Sequence, residues 1–206
     1  MYTTIKNYCD KLATEFENIP AERKEILEKI ADYIKKKNAE RKPTNLISIC
    51  THNSRRSHFA QVWATVASSY YGIRNIYSFS GGVEVTAFNP NAIAALERVG
   101  FHIHAESSSE NPIYDVQFDE QAFPVLCFSK LYSDVENPQK EFAAIMVCDS
   151  ASQNCPFVPG ADLRISLTFE DPKEFEGTPQ QNEKYDERCK EIAAQMMYLF
   201  SKIKTN

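Results

Sequence analysis

Residues 46–57 read Leu-Ile-Ser-Ile-Cys-Thr-His-Asn-Ser-Arg-Arg-Ser, and this stretch decides the fold class. Its first four residues form the short apolar run of a buried strand. Residues 57–71 then carry apolar side chains at helical spacing, and Gly72 is expected to end that helix. A strand that turns directly into a helix is the repeating unit of α/β proteins. The stretch therefore predicts a strand, a tight loop at residues 50–57 and a helix.

The same alternation of strands and helices continues outward from this stretch. Further strands are predicted at residues 76–79, 114–118, 125–128 and 143–147, with a helix at 90–99 and a long last helix from Tyr185 to Ile203. Alternating elements of this kind predict an α/β fold with a mostly parallel central sheet and helices on both faces.

Two amphipathic helices precede this pattern. The second is expected to start at Pro20, and Pro43 to stop it. The first carries four apolar side chains on one face, at Ile5, Cys9, Leu12 and Phe16. Residues 1–43 are therefore predicted to form an N-terminal helical extension, and residues 44–206 the α/β domain.

The composition of the 206-residue chain, 43% hydrophobic and 25% charged, is that of a folded protein. A formal net charge of −5 argues against nucleic acid or an anionic membrane as a partner. No secretion signal or membrane span is recognisable, which predicts a cytoplasmic protein with reduced thiols. Cys9, Cys127 and Cys189 fall at apolar positions of predicted elements and are expected to be packing residues.

The loop between the first strand and its helix has the composition of an anion site. Backbone amides converge before a helix N-terminus, where they favour both a bound anion and the thiolate of Cys50. The guanidinium of Arg56 can grip two oxygens of a tetrahedral anion, and Ser57 can donate to the thiolate or cap the helix. The alternative is a buried cysteine at a strand end, followed by surface arginines.

Two further thiols, Cys148 and Cys155, lie in a mostly polar stretch after the strand predicted at 143–147, and this stretch is predicted to be a loop that can bring the two together. Two unrelated cysteines or half of a zinc site are the alternatives. A zinc site usually has pairs of closely spaced cysteine or histidine ligands, and the nearest histidines in the sequence are distant. We therefore expect no metal and no cofactor. A dithiol that reduces another group and leaves as a disulfide fits better.

Asp171 precedes Pro172 late in the chain. A carboxyl group held over a bound anion can protonate a leaving oxygen. The alternative is an ordinary Asp-Pro turn.

The loop resembles the low-molecular-weight protein tyrosine phosphatase superfamily, whose signature is C-x5-R-S in the first strand-to-helix loop. The resemblance implies that Cys50 forms a covalent intermediate, that Arg56 binds the oxyanion, and that Asp171 occupies the position of the general acid. It also implies that the other loop residues bind the oxyanion or support the loop, namely Thr51, His52, Asn53, Ser54, Arg55 and Ser57. His52 stands where the family usually has glycine, and histidine is among the residues that tolerate a positive φ.

The wider match, from Asn45 nearly to the C-terminus, is similar to the thioredoxin-coupled arsenate reductases of this superfamily. It includes residues 80–84, 88–92 and 169–172. The resemblance implies that arsenate bonds to Cys50 and that Cys148 attacks Cys50 to release arsenite. Cys155 then attacks Cys148, which leaves a disulfide for a thioredoxin-like reductant.

Two other functions stay open. A phosphatase acting on phosphotyrosine or a small phosphate ester needs Cys50, Arg56 and Asp171 but not the second cysteine pair. Phosphatases of the superfamily typically follow Asp-Pro with an aromatic residue, whereas Lys173 follows here. A non-enzymatic anion-binding or redox-sensing module would have no use for a nucleophile together with an acid.

Overall fold

The computed structural model describes residues 1–154 and 157–203, with Asn154 described by its backbone alone. The helices are α1 (Thr3–Ala13), α2 (Ala21–Ala39), α3 (Arg56–Tyr70), α4 (Pro90–Val99), α5 (Asp149–Asn154) and α6 (Gln181–Ser201). The strands are β1 (Thr44–Cys50), β2 (Ile76–Gly82), β3 (His102–Ala105), β4 (Tyr114–Gln117), β5 (Val125–Cys127), β6 (Phe142–Met146) and β7 (Ala161–Ser166). Two 3-10 turns, Phe16–Asn18 and Pro172–Phe175, complete the regular structure of the described ranges.

The central sheet has the strand order β2-β1-β6-β7, and all its pairs are parallel. Helix α3 packs against β1 and β2, α5 against β1 and β6, and α2 against β1 and β7. The predicted α/β fold with a mostly parallel sheet is therefore confirmed. Because β1 and β6 are parallel neighbours, with Ile49 opposite Met146, the residues that follow these strands lie at the same edge of the sheet.

A second, antiparallel sheet of order β3-β4-β5 stands apart from the central one. The strands predicted at residues 114–118 and 125–128 exist, but they belong to this small sheet. The connection between them is too short for the crossover that a parallel pair requires, so they pair antiparallel. The sequence prediction did not include β3, whose alternating exposed and partly buried residues form the edge of this sheet.

Two further elements differ from the prediction. Strand β7 was not predicted, although residues 161–166 alternate between apolar and polar side chains as a half-buried strand does. The stretch after β6 was expected to be a polar loop, yet Asp149–Asn154 form the short helix α5. The second thiol, Cys148, therefore lies directly before a helix rather than within a loop.

The N-terminal helices are confirmed and belong to the main core. Helix α1 buries three of the four predicted apolar residues, Ile5, Cys9 and Leu12, and both α1 and α2 pack against α6. Helix α1 ends at Ala13, so the fourth, Phe16, lies in the following 3-10 turn. Helix α2 begins at Ala21, one residue after Pro20. No helix in the described ranges is both long and apolar enough to cross a membrane.

Candidate active site

The loop at residues 51–55 connects the last residue of β1, Cys50, to the first residue of α3, Arg56. Its five backbone N–H groups donate no hydrogen bond to any residue that the structure describes. Buried backbone donors are nearly always paired, so a run of free N–H groups before a helix N-terminus is an anion-binding arrangement.

Asn53 gives the loop its shape. Its φ is +44°, whereas His52 is not among the residues of positive φ, so the left-handed turn comes one residue later than the family comparison indicated. The Asn53 Nδ2 donates to Ser57 Oγ at 2.9 Å, and its Oδ1 accepts from the backbone N–H of Lys130 at 2.9 Å. Gly82 allows the loop to approach β2, because a Cβ there would lie 2.8 Å from the Asn53 nitrogen.

The Cys50 sulfur lies 3.1 Å from Ser57 Oγ, and the cysteine is 4% exposed. Since Ser57 accepts a hydrogen bond from Asn53, its own hydroxyl hydrogen is free to point at the sulfur. Such a bond stabilises a thiolate. The alternative role of Ser57 as a helix cap is wrong, because the helix begins at Arg56 and its N-cap residue is Arg55.

Arg56 turns its guanidinium towards the segment that carries the candidate acid. Its Nη1 donates to the Phe169 carbonyl at 2.7 Å and its Nη2 to Asp171 Oδ2 at 2.6 Å. The buried Nε has no partner among the described residues. A guanidinium has five N–H donors, so Nε and two others remain available for an oxyanion.

Arg55 supports the loop from outside. Its Nε donates to Tyr185 OH at 2.8 Å, and its Nη2 donates to Glu176 Oε1 at 2.9 Å. Burial acts to raise the pKa of Glu176, but hydrogen bonds from Tyr185 and Arg55 outweigh it and lower that pKa. Arg55 thus ties the loop to the start of α6 instead of facing an anion with its side chain.

The remaining loop residues hold their neighbours through hydrogen bonds. The Thr51 carbonyl accepts from the N–H groups of Val83 and Glu84, each at 2.8 Å. Ser54 Oγ donates to the Ala87 carbonyl at 2.7 Å. His52 Nε2 lies 3.5 Å from Glu84 Oε2 at the surface. The Ser54 hydroxyl therefore supports the loop.

Cys148 lies beside the same loop. Its sulfur is 3.4 Å from Thr51 Oγ1 and accepts from the backbone N–H of Ala151 in α5 at 3.3 Å. The residue is 1% exposed. The second thiol thus adjoins the residue that follows Cys50. Cys155, the third member of the predicted relay, lies outside the described residues.

Asp171 both caps a turn and contacts Arg56. Its Oδ1 accepts from the Lys173 N–H at 3.1 Å at the start of the 3-10 turn, while Oδ2 accepts from Arg56. The two interpretations of Asp171 are therefore compatible. A cavity of about 580 Å³ is lined by Asp171, Arg56 and Cys148 together. This volume is in the range of small-molecule sites.

Sequence reasoning missed several residues that shape this site. Phe169 offers only its carbonyl to Arg56, and Glu176 had no motif around it. Tyr185 was predicted only as an apolar position of the last helix, although its hydroxyl contacts both Arg55 and Glu176. These residues lie far from the loop in the sequence, so local spacing carries no signal for them.

The cysteines should differ in reactivity. Burial raises the pKa of Cys9, Cys127 and Cys189 to about 12 each, so at about pH 8 only on the order of 10⁻⁴ of each is thiolate. We expect iodoacetamide to modify Cys50 well before these three, and phosphate or arsenate to protect it. Peptide mass mapping at short reaction times measures the order. Urea-unfolded protein is the control, and equal labelling of the native cysteines would contradict the loop assignment.

No family model matches the sequence. Curated relatives do. The chain is 31% identical over 125 residues to an arsenate reductase of Brevibacillus brevis, covering 60% of this chain and 73% of the relative. It is 28% identical over 144 residues to an arsenate reductase of Bacillus subtilis, covering 69% of this chain and 84% of that protein.

Solved structures share the fold. A low-molecular-weight phosphotyrosine phosphatase from Vibrio cholerae O395 superposes with a TM-score of 0.53 at 14% identity, covering 77% of this chain and 95% of that one. An arsenate reductase in the oxidized state superposes with a TM-score of 0.52 at 18% identity, covering 78% of this chain and 98% of that one. The fold and the sequence similarity agree, and the chain belongs to the arsenate reductase family.

Proposed function

We propose that this protein reduces arsenate to arsenite through a relay of Cys50, Cys148 and Cys155. The observation that carries the proposal is the position of Cys148, whose sulfur lies 3.4 Å from Thr51 Oγ1 at the edge of the anion loop. Hydrolysis has no use for a second thiol at that place, whereas reduction requires one. Membership of the arsenate reductase family supports the same activity.

In the first step, the free N–H groups of residues 51–55 and the open donors of Arg56 bind the arsenate oxygens. The Cys50 thiolate forms a sulfur–arsenic bond, and one oxygen leaves arsenic as water after taking up protons. Asp171, held beside Arg56, supplies one of them.

In the second step, the Cys148 thiolate attacks the Cys50 sulfur. A disulfide forms, the sulfur–arsenic bond breaks, and its electron pair stays on arsenic as arsenite. Cys155 then attacks Cys148, which frees Cys50 and leaves a Cys148–Cys155 disulfide. A dithiol protein of the thioredoxin type returns two electrons and two protons.

The consumption of one dithiol per arsenate requires a compartment that regenerates thiols, and the proposed location is the cytoplasm. The proposed catalytic unit is residues 44–206. The proposed role of residues 1–43 is to pack on that unit through α6.

Parallel assays with the full chain test this function. One measures arsenite formation with arsenate, thioredoxin, thioredoxin reductase and NADPH, and the other measures hydrolysis of an aryl phosphate. Sustained arsenite formation supports the reductase. Sustained hydrolysis without arsenite formation would replace it with the phosphatase.

A phosphatase acting on phosphotyrosine or small phosphate esters is the second candidate, because hydrolysis would use the same loop, with Arg56 and Asp171 in contact beside it. For any such hydrolysis, we expect Asp171→Asn to lower the rate by about 10²–10⁴-fold, the range for loss of a general acid. The loss should shrink for leaving groups that need no proton. Asp32→Asn, the same change at an exposed carboxylate of α2, is the matched control. An unchanged rate with a poor leaving group would leave Asp171 only its role in the turn.

A further inference from the structure

A second cavity, of about 300 Å³, lies between strand β2 of the central sheet and strand β5 of the small sheet. Its walls include the apolar and aromatic side chains of Ile76, Phe79, Phe123, Leu126 and Phe128, and one carboxylate, that of Glu136. Phe123 is 96% exposed, which is unusual for a phenylalanine at the mouth of a cavity. The volume suits a small organic molecule.

Lys130 lines this cavity and is itself almost completely buried, at 4% exposed. Its Nζ lies 4.1 Å above the Phe128 ring, but it makes no hydrogen bond or ion pair with any residue in the described ranges. Ser78 Oγ also lines the cavity. It is buried and has no hydrogen-bond partner among the described residues. The Lys130 ammonium, which contacts the Phe128 ring, and the Ser78 hydroxyl, which has no partner among the described residues, thus line one small cavity.

Another buried lysine, Lys37, differs from Lys130 because it has a carboxylate partner. Lys37 is 6% exposed, and its Nζ lies 2.7 Å from Asp162. Burying an ammonium without a counter-charge is costly. At Lys130, burial lowers the pKa of the amine and outweighs the opposing charges of Cys127, Asp134 and Glu136. Glu136 lines the same cavity but forms no ion pair with Lys130 Nζ, so an anion that enters the cavity would be a closer partner.

We propose that this cavity binds a small monocarboxylate with an aromatic or branched aliphatic body. The carboxylate accepts hydrogen bonds from Lys130 Nζ and the Ser78 hydroxyl, and the body packs against Phe79, Phe123 and Phe128. An apolar tail distinguishes such a ligand from inorganic phosphate or arsenate, which the polar anion loop suits better. The site is separate from the proposed reduction.

The position of this site couples it to the anion loop. The backbone N–H of Lys130 holds Asn53 Oδ1, and Asn53 in turn holds Ser57 beside Cys50. A ligand that fixes Lys130 therefore acts two hydrogen bonds away from Ser57. If the bound carboxylate changes the affinity of the loop for an anion, thermodynamic linkage requires that the bound anion change the affinity of the cavity for the carboxylate by the same factor.

Binding of phenylacetate to the full chain tests the proposal without reference to activity. Calorimetry in phosphate, which occupies the anion loop, compares phenylacetate with the uncharged phenylacetamide. We expect the carboxylate to bind at least about tenfold more tightly, because it gains a charged hydrogen bond in a desolvated site. Lys130→Met keeps the backbone N–H and the apolar stem, and should abolish that preference. Lys140→Met, at an exposed lysine, should keep it.

Phe123→Ala provides a variant that cannot disturb the core, since the side chain is almost fully exposed. It should weaken both ligands several-fold while the preference for the carboxylate survives. Equal affinity of the parent for acid and amide, or no binding of phenylacetate, would overturn the proposal. So would a full preference in Lys130→Met, or an unchanged affinity in Phe123→Ala.

Discussion

Replacement of Cys50 by serine is expected to lower arsenate reduction and any phosphate ester hydrolysis by about 10⁴–10⁶-fold, the scale seen when a catalytic nucleophile is removed. A serine hydroxyl is not ionised near neutral pH and cannot form the disulfide that carries electrons to arsenic. The free N–H groups of residues 51–55 and the Arg56 guanidinium remain in place. Turnover should therefore be lost while phosphate still binds.

The measurements are arsenite formation in the thioredoxin-coupled assay and the shift in melting temperature caused by phosphate. Cys9→Ala is the matched control, since Cys9 is fully buried in α1 away from the loop. It should keep activity within a few-fold of the parent. A Cys50→Ser protein that retained reduction within tenfold of the parent would remove Cys50 from the mechanism.

Replacement of Cys155 by alanine is expected to limit the protein to one round of arsenate reduction. Cys148 can still attack Cys50 and release arsenite, but nothing then frees the Cys50 sulfur. The chain should accumulate a disulfide between Cys50 and Cys148. Aryl phosphate hydrolysis, if the parent shows it, should survive under reducing conditions because water clears that intermediate.

Single-turnover assays measure this directly, with arsenite counted per chain and the disulfide identified by peptide mass mapping without reductant. Cys189→Ala removes a sulfur of equal size from α6 and should continue to turn over. Continuous thioredoxin-driven reduction by Cys155→Ala at the parent rate would show that the relay is wrong. A parent that makes no arsenite at all would leave the phosphatase as the remaining candidate.

The parts of the fold that could be predicted from sequence are the helices and strands whose sequence signals lie within the element or directly beside it. The apolar run before Cys50, the helical spacing after Arg56 and the helix predicted at residues 90–99 depend on local signals, and each element is present. Helix α4 is bounded by Asn89 and a left-handed Gly100, as capping rules require.

What could not be predicted depends on distant partners. The connection between β4 and β5 is too short for parallel pairing, so these strands form a separate antiparallel sheet. The pattern within either strand does not show this. Helix α5 is short and polar, and a contact between Ala151 and the Cys148 sulfur accompanies its start. The surroundings of the Lys130 ammonium depend on Phe128 and on a cavity that it shares with Ser78.

The same holds within the candidate site. The roles of Cys50 and Arg56 follow from a signature of eight residues, and their assignments stay predictions until tested. The contact between Arg56 and Asp171 spans 115 positions, and that between Arg55 and Tyr185 spans 130. The sequence and its resemblance could propose Cys50 as nucleophile and Asp171 as acid, but not that Asp171 contacts Arg56.

These long spans determine when the site is completed during synthesis. The ribosome makes Cys50 and its helix early, but Phe169, Asp171, Glu176 and Tyr185 leave the exit tunnel more than a hundred residues later. Closing so long a segment is entropically costly until the intervening strands have formed. The nascent chain therefore carries its thiol without the contacts that position both arginines. The protein becomes a competent catalyst only after α6 has emerged and docked.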